Sequence, residues 1–564
     1  MQNGDHFDAI VVGSGVSGGW AAKELCEKGL KVLMLERGRN IEHIKDYKTA
    51  MMNPWDFPHH NGKMPLEEMK DYPIHARTGF TITEASKDMF VKDVDYPYLE
   101  TKRFDWIRSY QLGGKSITWG RVTLRMSDLD FEANIKEGIA IDWPIRYKEI
   151  EPWYNYVEKF VGISGSYENL PYLPDSIFQK PFDLTCVEQH MRTKVLEKFG
   201  DRYVIPPRQA HLTEPTEEQK ALGRASCQSR DMCWRGCPYG AYFSTQSATL
   251  PAARLTNNLT VATDSIVYEV IYDDEKGKAV GVRVIDQKTK EHREYFANII
   301  FLNASAMAST FILMNSKSKR HPNGLGNESG ELGHNLMDHH FGAGASGDMP
   351  GFEDQYYYGR RPNGFYVPRY RNVGSDKRDY LRGFGYEGGS GRSRGVASEA
   401  SFGPEFKQAA TLPGPWNASL TGFAETLPYH ENKVWIDDSQ HDQWGLPLLN
   451  FSAEIGENER KMRIDMVNDA AEMLEASGAK NIETYDYSKG FGRCIHEMGT
   501  ARMGHDPKTS VLNKQNQVWG AENVFVTDGA CMTSSSCVNP SLTYMALTAR
   551  AVDYAVSELK KGNL

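Results

Sequence analysis

Two stretches of this chain have residue types and spacing that point to chemistry: Gly13-Ser14-Gly15-Val16-Ser17-Gly18, and the cysteines Cys227, Cys233 and Cys237. The first is a Gly-x-Gly-x-x-Gly turn. In such a turn Gly13 permits the tight bend, Gly15 lets the backbone approach a pyrophosphate, and Gly18 allows a helix to pack closely on a sheet. The N-terminus of that helix offers unpaired N–H groups to the anion. Glu36 stands where a ribose hydroxyl would arrive, and its carboxylate can accept that hydrogen bond. This stretch reads as a dinucleotide site. The cysteines have C-x5-C-x3-C spacing, with Pro238 directly after the last. Three thiolates so close together would be a liability if free. A zinc site usually takes four ligands in paired spacing, and the segment has no obvious fourth. Three cysteines, one followed by proline, suit an iron–sulfur cluster better. The alternatives are a structural zinc completed by a distant histidine such as His211, or three buried thiols without metal.

The elements that must position these groups can be read from the pattern. An apolar run, Phe7 to Val12, leads into the glycine turn. A helical pattern starts at Trp20, and a second apolar run, Lys31 to Leu35, ends at Glu36. Strand, turn, helix, strand and acid thus follow in the order a dinucleotide-binding unit requires. Residues 40 to 104 have little periodicity and read as an excursion covering the nucleotide. Gly113 and Gly114, followed by Ser116 and Thr118, suit either a loop lying flat against a planar ligand or a tight turn. A strand over Asn298 to Leu302 breaks into the small residues Asn303, Ala304 and Ser305 before another helix. Residues 346 to 490, rich in Gly, Tyr, Arg and Pro, read as a largely antiparallel sheet roofing a pocket. Within that lobe Trp416, Tyr356, Tyr357 and Tyr358 could stack on a ligand, although packing is the plainer reading for each. A helix over about Glu457 to Ala476 closes the lobe. The chain then returns to α/β character, with a strand ending in Asp528-Gly529-Ala530 and a helix over Pro540 to Leu559. The fold class is α/β, a Rossmann-type dinucleotide-binding domain with a second lobe.

At 564 residues the chain is too long for a single core. Hydrophobic residues at 40% and charged residues at 25% describe an ordinary globular protein, and a net charge of −9 gives no footprint for nucleic acid. No apolar stretch approaches the length of a membrane helix, and no secretory signal precedes the first strand.

Taken together, the glycine turn, the Gly113-Gly114 loop, the Asn303-Ala304-Ser305 turn and the C-terminal segment make the chain resemble the glucose–methanol–choline (GMC) oxidoreductases. The most specific part is Cys494-Ile495-His496-Glu497-Met498-Gly499-Thr500-Ala501-Arg502-Met503-Gly504. It is similar to that family's His-x-x-Gly-Thr-x-x-Met-Gly segment. Asp528-Gly529 resembles the strand end that meets the flavin, and Asn539-Pro540-Ser541-Leu542-Thr543 resembles the family's second active-site position. The resemblance implies FAD, with Gly13, Gly15, Gly18, Glu36, Gly113, Gly114, Ser116, Thr118, Ala304, Asp528, Gly529, Asn539 and Thr543 about the cofactor. It also implies a discontinuous FAD domain over 1–45, 105–135, 221–345 and 491–564, with a cover and substrate lobe over 46–104, 136–220 and 346–490.

The resemblance makes His496 the catalytic base and Asn539 its partner. Alcohol oxidation moves a hydride to the flavin while the hydroxyl proton leaves, and a neutral imidazole suits that proton. His505, just beyond the motif, is expected to be structural. Members that tether the flavin covalently carry a histidine where Thr118 stands, so FAD is expected to be non-covalent. The cysteine spacing resembles bacterial FAD sugar dehydrogenases that hold a [3Fe-4S] cluster. This implies a sugar or glycoside substrate, with C3 of a pyranoside as the candidate carbon. It also implies a small subunit bearing an export signal, a cytochrome-type electron acceptor and periplasmic co-export, the alternative location being cytoplasmic. An oxygen-using pyranose oxidase with structural cysteines, and a non-catalytic electron-relay flavoprotein, are the competing expectations.

Overall fold

A computed structural model describes residues 6–62, 64–357, 362–394, 402–487 and 490–564. It is a mixed α/β protein organised around two sheets. In the first, β1 (His6–Val12), helix α1 (Val16–Glu27) and β2 (Val32–Leu35) follow the order expected from the glycine turn. All of β2 and the last four residues of β1 are buried. Such short apolar runs fit a parallel sheet covered on both faces. β1 lies between β2 and β3 (His292–Leu302), parallel to both, and Ala521–Val526 adds a further parallel strand beyond β3. The strand ends Gly13, Ala304 and Asp528 are thereby brought side by side. The antiparallel pair Ser265–Asp273 and Lys278–Asp286 extends from β3 as a separate arm.

Two glycines set how closely these elements approach. A Cβ on Gly13, whose φ is +91°, would lie 2.3 Å from the carbonyl oxygen of Asn303. A Cβ on Gly18 would lie 2.0 Å from the carbonyl oxygen of Gly13. Gly18 therefore packs α1 onto the turn, the role its place in the motif implies.

The second sheet is antiparallel throughout. Its order is Phe365–Val367, β4 (Phe384–Arg394), Pro413–Ala424, His340–Met349 and Lys480–Asp486. The helix Glu457–Ala476 covers one face, burying Met462, Met466, Ala470 and Met473 against it. The other face looks towards the first sheet. One expectation fails here. Lys433–His441 and Pro447–Ser452 do not join this roof but pair with each other and with Leu99–Glu100 in a small separate sheet. Their alternation marks a strand without saying which sheet it enters, and pairing with Leu99–Glu100, more than 300 residues earlier in the chain, leaves no local signal. The 40–104 segment is built of short helical turns and lends Phe80, Phe90, Tyr96 and Tyr98 to the cavity described below. Among the described residues no helix is long and apolar enough to cross a membrane.

Gly18→Ala should test this packing directly. The added methyl cannot be relieved by a side-chain shift, because it meets backbone, so the helix must move off the sheet. Overpacking of this kind costs about 1–3 kcal/mol. We expect a lower urea midpoint together with reduced FAD loading, and a variant matching the parent in both would refute the packing role.

Candidate active site

A cavity of about 420 Å³ lies between the two sheets. Gly13, Gly15 and Glu36 line one end, and His496, Asn539 and Glu387 line the other. Glu36 accepts hydrogen bonds from the backbone N–H of Ser14 (3.2 Å), from Ser14 Oγ (2.5 Å) and from the N–H of Gly38 (2.8 Å). Burial pushes its pKa up and these donors oppose the shift. Beside it the Arg37 guanidinium lies 4.8 Å over Tyr110 and 5.2 Å over Trp444, closing this end with aromatic rings.

The middle of the cavity is suited to a polar, extended ligand. A Cβ on Gly15 would meet nothing within 4 Å, so its backbone faces open space. Ser17 Oγ, Ser109 Oγ, Asn303 Nδ2, Arg121 Nε and Tyr544 OH all belong to cavity-lining residues and are buried without a hydrogen-bond partner. Buried polar atoms are rarely left unpaired in a native protein, because each costs about 1–3 kcal/mol. A bare glycine turn and a row of orphaned donors together fit a dinucleotide's phosphates and ring heteroatoms.

Of the residues singled out from the sequence, Gly13, Gly15, Glu36, Gly114, Ser116, Thr118, Ala304, Asp528, Gly529, His496 and Asn539 line this cavity. Gly113 stands one layer back, donating its N–H to Ser14 Oγ at 2.8 Å and so clamping the loop to the glycine turn. Thr543 is a correction. Its hydroxyl is buried against Tyr154 OH at 2.8 Å, on the face of the C-terminal helix that packs on Tyr147–Val161, while Ser541 and Tyr544 take the cavity-facing places. Asp528 accepts from Ser309 Oγ (2.6 Å) and the N–H of Ala530 (3.0 Å), and burial pushes its pKa to about 6. His505 is exposed and does not line the cavity. Trp416 is buried with its indole N–H donated to the carbonyl of Phe352 at 2.9 Å. Tyr356 and Tyr357 are exposed, and Tyr358 lies outside the described residues. None of the three described rings lines the cavity; Phe80, Phe341 and Phe423 do.

At the reactive end the hydrogen bonds decide where protons sit. Asp338 accepts the backbone N–H groups of Cys494 and His496, both at 2.9 Å, which pins the loop. Burial, with Glu497 nearby, pushes Asp338 to about 8. His339 Nε2 lies 3.3 Å from the carbonyl of Ser535, and His339 Nδ1 lies 2.9 Å from His496 Nδ1. A carbonyl can only accept, so Nε2 of His339 carries its proton and Nδ1 has the lone pair. His496 must then donate from Nδ1, which leaves its Nε2 unprotonated. Burial pushes His339 to about 4 and His496 well below its ordinary value, so both rings are neutral. A neutral imidazole with a free lone pair can take a proton. Asn539 donates from Nδ2 to Glu387 Oε1 at 3.0 Å, and burial pushes Glu387 to about 7.

Cys227, Cys233, Cys237 and His211 line a second cavity of about 20 Å³. Cys233 Sγ lies 3.7 Å from His211 Nε2. One zinc would need its ligand atoms within about 3.8 Å of one another. Among the described residues no three of these four close to within 4.8 Å; the trio that does is His339, Cys494 and His496. The geometry disfavours a mononuclear site at the cysteines. Burial pushes Cys227 up to about 11 and raises Cys233, with the Arg121 guanidinium opposing both. The two cavities adjoin: Arg121 and Trp234 line the larger one, and Tyr242 OH donates to the carbonyls of Ile117 (2.5 Å) and Cys233 (3.2 Å).

Comparison with known proteins places this geometry in a family. The N-terminal GMC oxidoreductase model matches residues 216–341 and the C-terminal GMC oxidoreductase model matches 428–548. The chain belongs to the GMC oxidoreductases. It is similar to the 2-methyl-1,2-propanediol dehydrogenase of Mycolicibacterium austroafricanum (28% identity, over 98% of this chain and 95% of that protein). It is also similar to the fructose dehydrogenase large subunit of Gluconobacter japonicus (25%, over 98% of each). A formate oxidase structure from Aspergillus oryzae shares the fold, with a TM-score of 0.61 at 15% identity over the whole of both chains.

GMC oxidoreductases bind FAD, and the residues of this one fit that cofactor by the observations above. What the motif did not disclose is His339, Glu387, Tyr544 and Arg121. Of these only His339 had a visible neighbour, the acid Asp338 before it in Met337-Asp338-His339-His340. For this GMC oxidoreductase, His339→Leu should free His496 to take either tautomer. We expect flavin reduction by substrate to slow about ten- to a hundredfold, with FAD content and melting temperature near the parent's. A rate unchanged by the substitution would remove His339 from the site's proton arrangement.

Proposed function

We propose that this GMC oxidoreductase is an FAD-dependent dehydrogenase that oxidises a hydroxyl of a sugar or sugar-like polyol to the carbonyl. The observation that carries the reading is the free Nε2 lone pair of His496 at the cavity's reactive end, opposite Asn539 and Glu387. His496 takes the hydroxyl proton, and Asn539 orients the hydroxyl oxygen. Bound FAD supplies the hydride acceptor. Thr118 at the tethering position supports non-covalent binding. The substrate class is supported by two relatives, one named for a 1,2-diol and one for a sugar. Within that class, C3 of a pyranoside is our proposed target carbon.

Cys227, Cys233 and Cys237 would hold a [3Fe-4S] cluster, which supplies a one-electron carrier towards an external acceptor. Three thiols lining one cavity, with ligand atoms too far apart for a single zinc and next to the flavin cavity through Trp234 and Tyr242, support it. The reading includes a division of labour along the chain, with the FAD domain over 1–45, 105–135, 221–345 and 491–564 and the substrate lobe over the rest. It also includes a small subunit carrying an export signal, a cytochrome-type acceptor and a periplasmic location. The words "large subunit" in one relative's name support the partner.

Iron and acid-labile sulfide, measured on protein purified without air, test the electron exit. We expect about three irons per chain, with sugar or diol reducing an artificial acceptor and forming little peroxide. Full FAD without iron, with hydrogen peroxide formed in step with the carbonyl product, would contradict it in favour of an oxygen-using oxidase.

A further inference from the structure

The second sheet contributes one carboxylate to the cavity, and the proposed chemistry gives it no task. Glu387 lies on β4 next to Tyr386, which points the other way and donates its hydroxyl to the carbonyl of Met466 at 2.8 Å. Alternation along the strand therefore sends Glu387 towards the cavity. The wall beside it is aromatic: Phe341 stacks on Phe423 with centroids 5.4 Å apart, Phe80 meets Phe341 edge-on at 5.8 Å, and the Arg493 guanidinium lies over Phe80 and Phe341 at 5.3 and 5.5 Å. One oxygen of Glu387 accepts from Asn539 Nδ2 at 3.0 Å. Among the described residues nothing donates to the other oxygen, and no lysine or arginine pairs with the group. It lines the cavity together with Cys494, His496 and its partner Asn539, so it belongs to the reactive end. A carboxylate on this aromatic wall, holding one bond to the residue that orients the reacting hydroxyl, leaves an acceptor beside that hydroxyl.

We infer that Glu387 is a specificity-determining residue, whose free oxygen accepts a hydrogen bond from a second hydroxyl adjacent to the one oxidised. The site then selects vicinal diols and sugars over simple alcohols. This deepens the alcohol-oxidising reading and rests on it. The bond to Asn539 couples the two functions, since a substrate engaging both groups is held at two adjacent oxygens. A monoalcohol leaves the second oxygen of Glu387 without a partner, and sites built to hydrogen-bond a substrate hydroxyl discriminate strongly against analogues lacking it.

The test compares trans-1,2-cyclohexanediol, cyclohexanol and 2-aminocyclohexanol as reductants of the FAD-loaded enzyme without oxygen. The parent should prefer the diol to the monoalcohol by about tenfold or more in kcat/KM. In Glu387→Leu that ratio should collapse to about unity, mostly through KM of the diol. Glu387→Gln keeps the volume and guards against a folding failure. It should lower the ratio at least several-fold, with flavin absorbance reporting that the site remains loaded. A ratio equal in parent and variants would overturn the inference, as would a parent that treats diol and monoalcohol alike. A parent preference for the amino alcohol that both variants lose would overturn it in favour of an ammonium subsite. If none of the three reduces the flavin, the alcohol-oxidising reading itself fails, which is a distinct result from a flavin reduced equally by all.

Discussion

The reactive end depends on one hydrogen bond, from the Nε2–H of His339 to the carbonyl of Ser535. That carbonyl has no proton to give, so it fixes the tautomer of His339, and His339 in turn fixes that of His496. Burial would in any case keep both rings neutral, but neutrality alone leaves the proton of His496 on either nitrogen. The backbone supplies the missing choice. Asp338 holds the same loop through the amides of Cys494 and His496, so the two consecutive residues just before strand 340–349 position the imidazole. Position and protonation state are thus set from one side of the cavity, and the opposite side is left to the ligand.

The two sheets divide the work in a way their residues explain. The parallel strands end in buried apolar runs, and the sheet contributes backbone: glycines at approach distances no side chain could share, and strand ends that converge on Gly13, Ala304 and Asp528. The antiparallel sheet alternates, burying one face under the helix 457–476 and offering the other to the cavity. Only such a sheet can present Phe423 and Glu387 to a ligand while Tyr386 serves the core. The cysteine segment joins this arrangement through Tyr242, whose hydroxyl ties the loop beside the glycine turn to Cys233.

How far the sequence disclosed this depends on how local each signal is. The glycine turn, Glu36 and the first two strands lie within some thirty residues, and backbone sterics dictate their types, so they were legible. His496 and Asn539 were legible only through the resemblance, because a turn histidine and an asparagine before a proline each have a plainer structural reading. His339 and Glu387 left no such trace, since their roles arise from contacts with Ser535 and Asn539 roughly 150 to 200 residues away. Thr543 shows the opposite failure. The motif identified the right helix, but which face of it meets the cavity is decided by Tyr154, and that turned Ser541 and Tyr544 inwards instead. The strands at 433–441 and 447–452 lie within the stretch read as one roofing sheet yet form another, because alternation reports a half-buried surface and not its partner.

The most direct measurement is single-turnover reduction of the bound flavin by an excess of diol or sugar, without oxygen, in the parent and in His496→Ala. An imidazole that takes the hydroxyl proton predicts that the substitution slows the absorbance change about a hundred- to ten-thousandfold, in protein with undiminished FAD. Flavin bleached at the parent's rate in His496→Ala would contradict it, and would mean that the arrangement of His339 and Ser535 around this histidine serves the loop's structure alone.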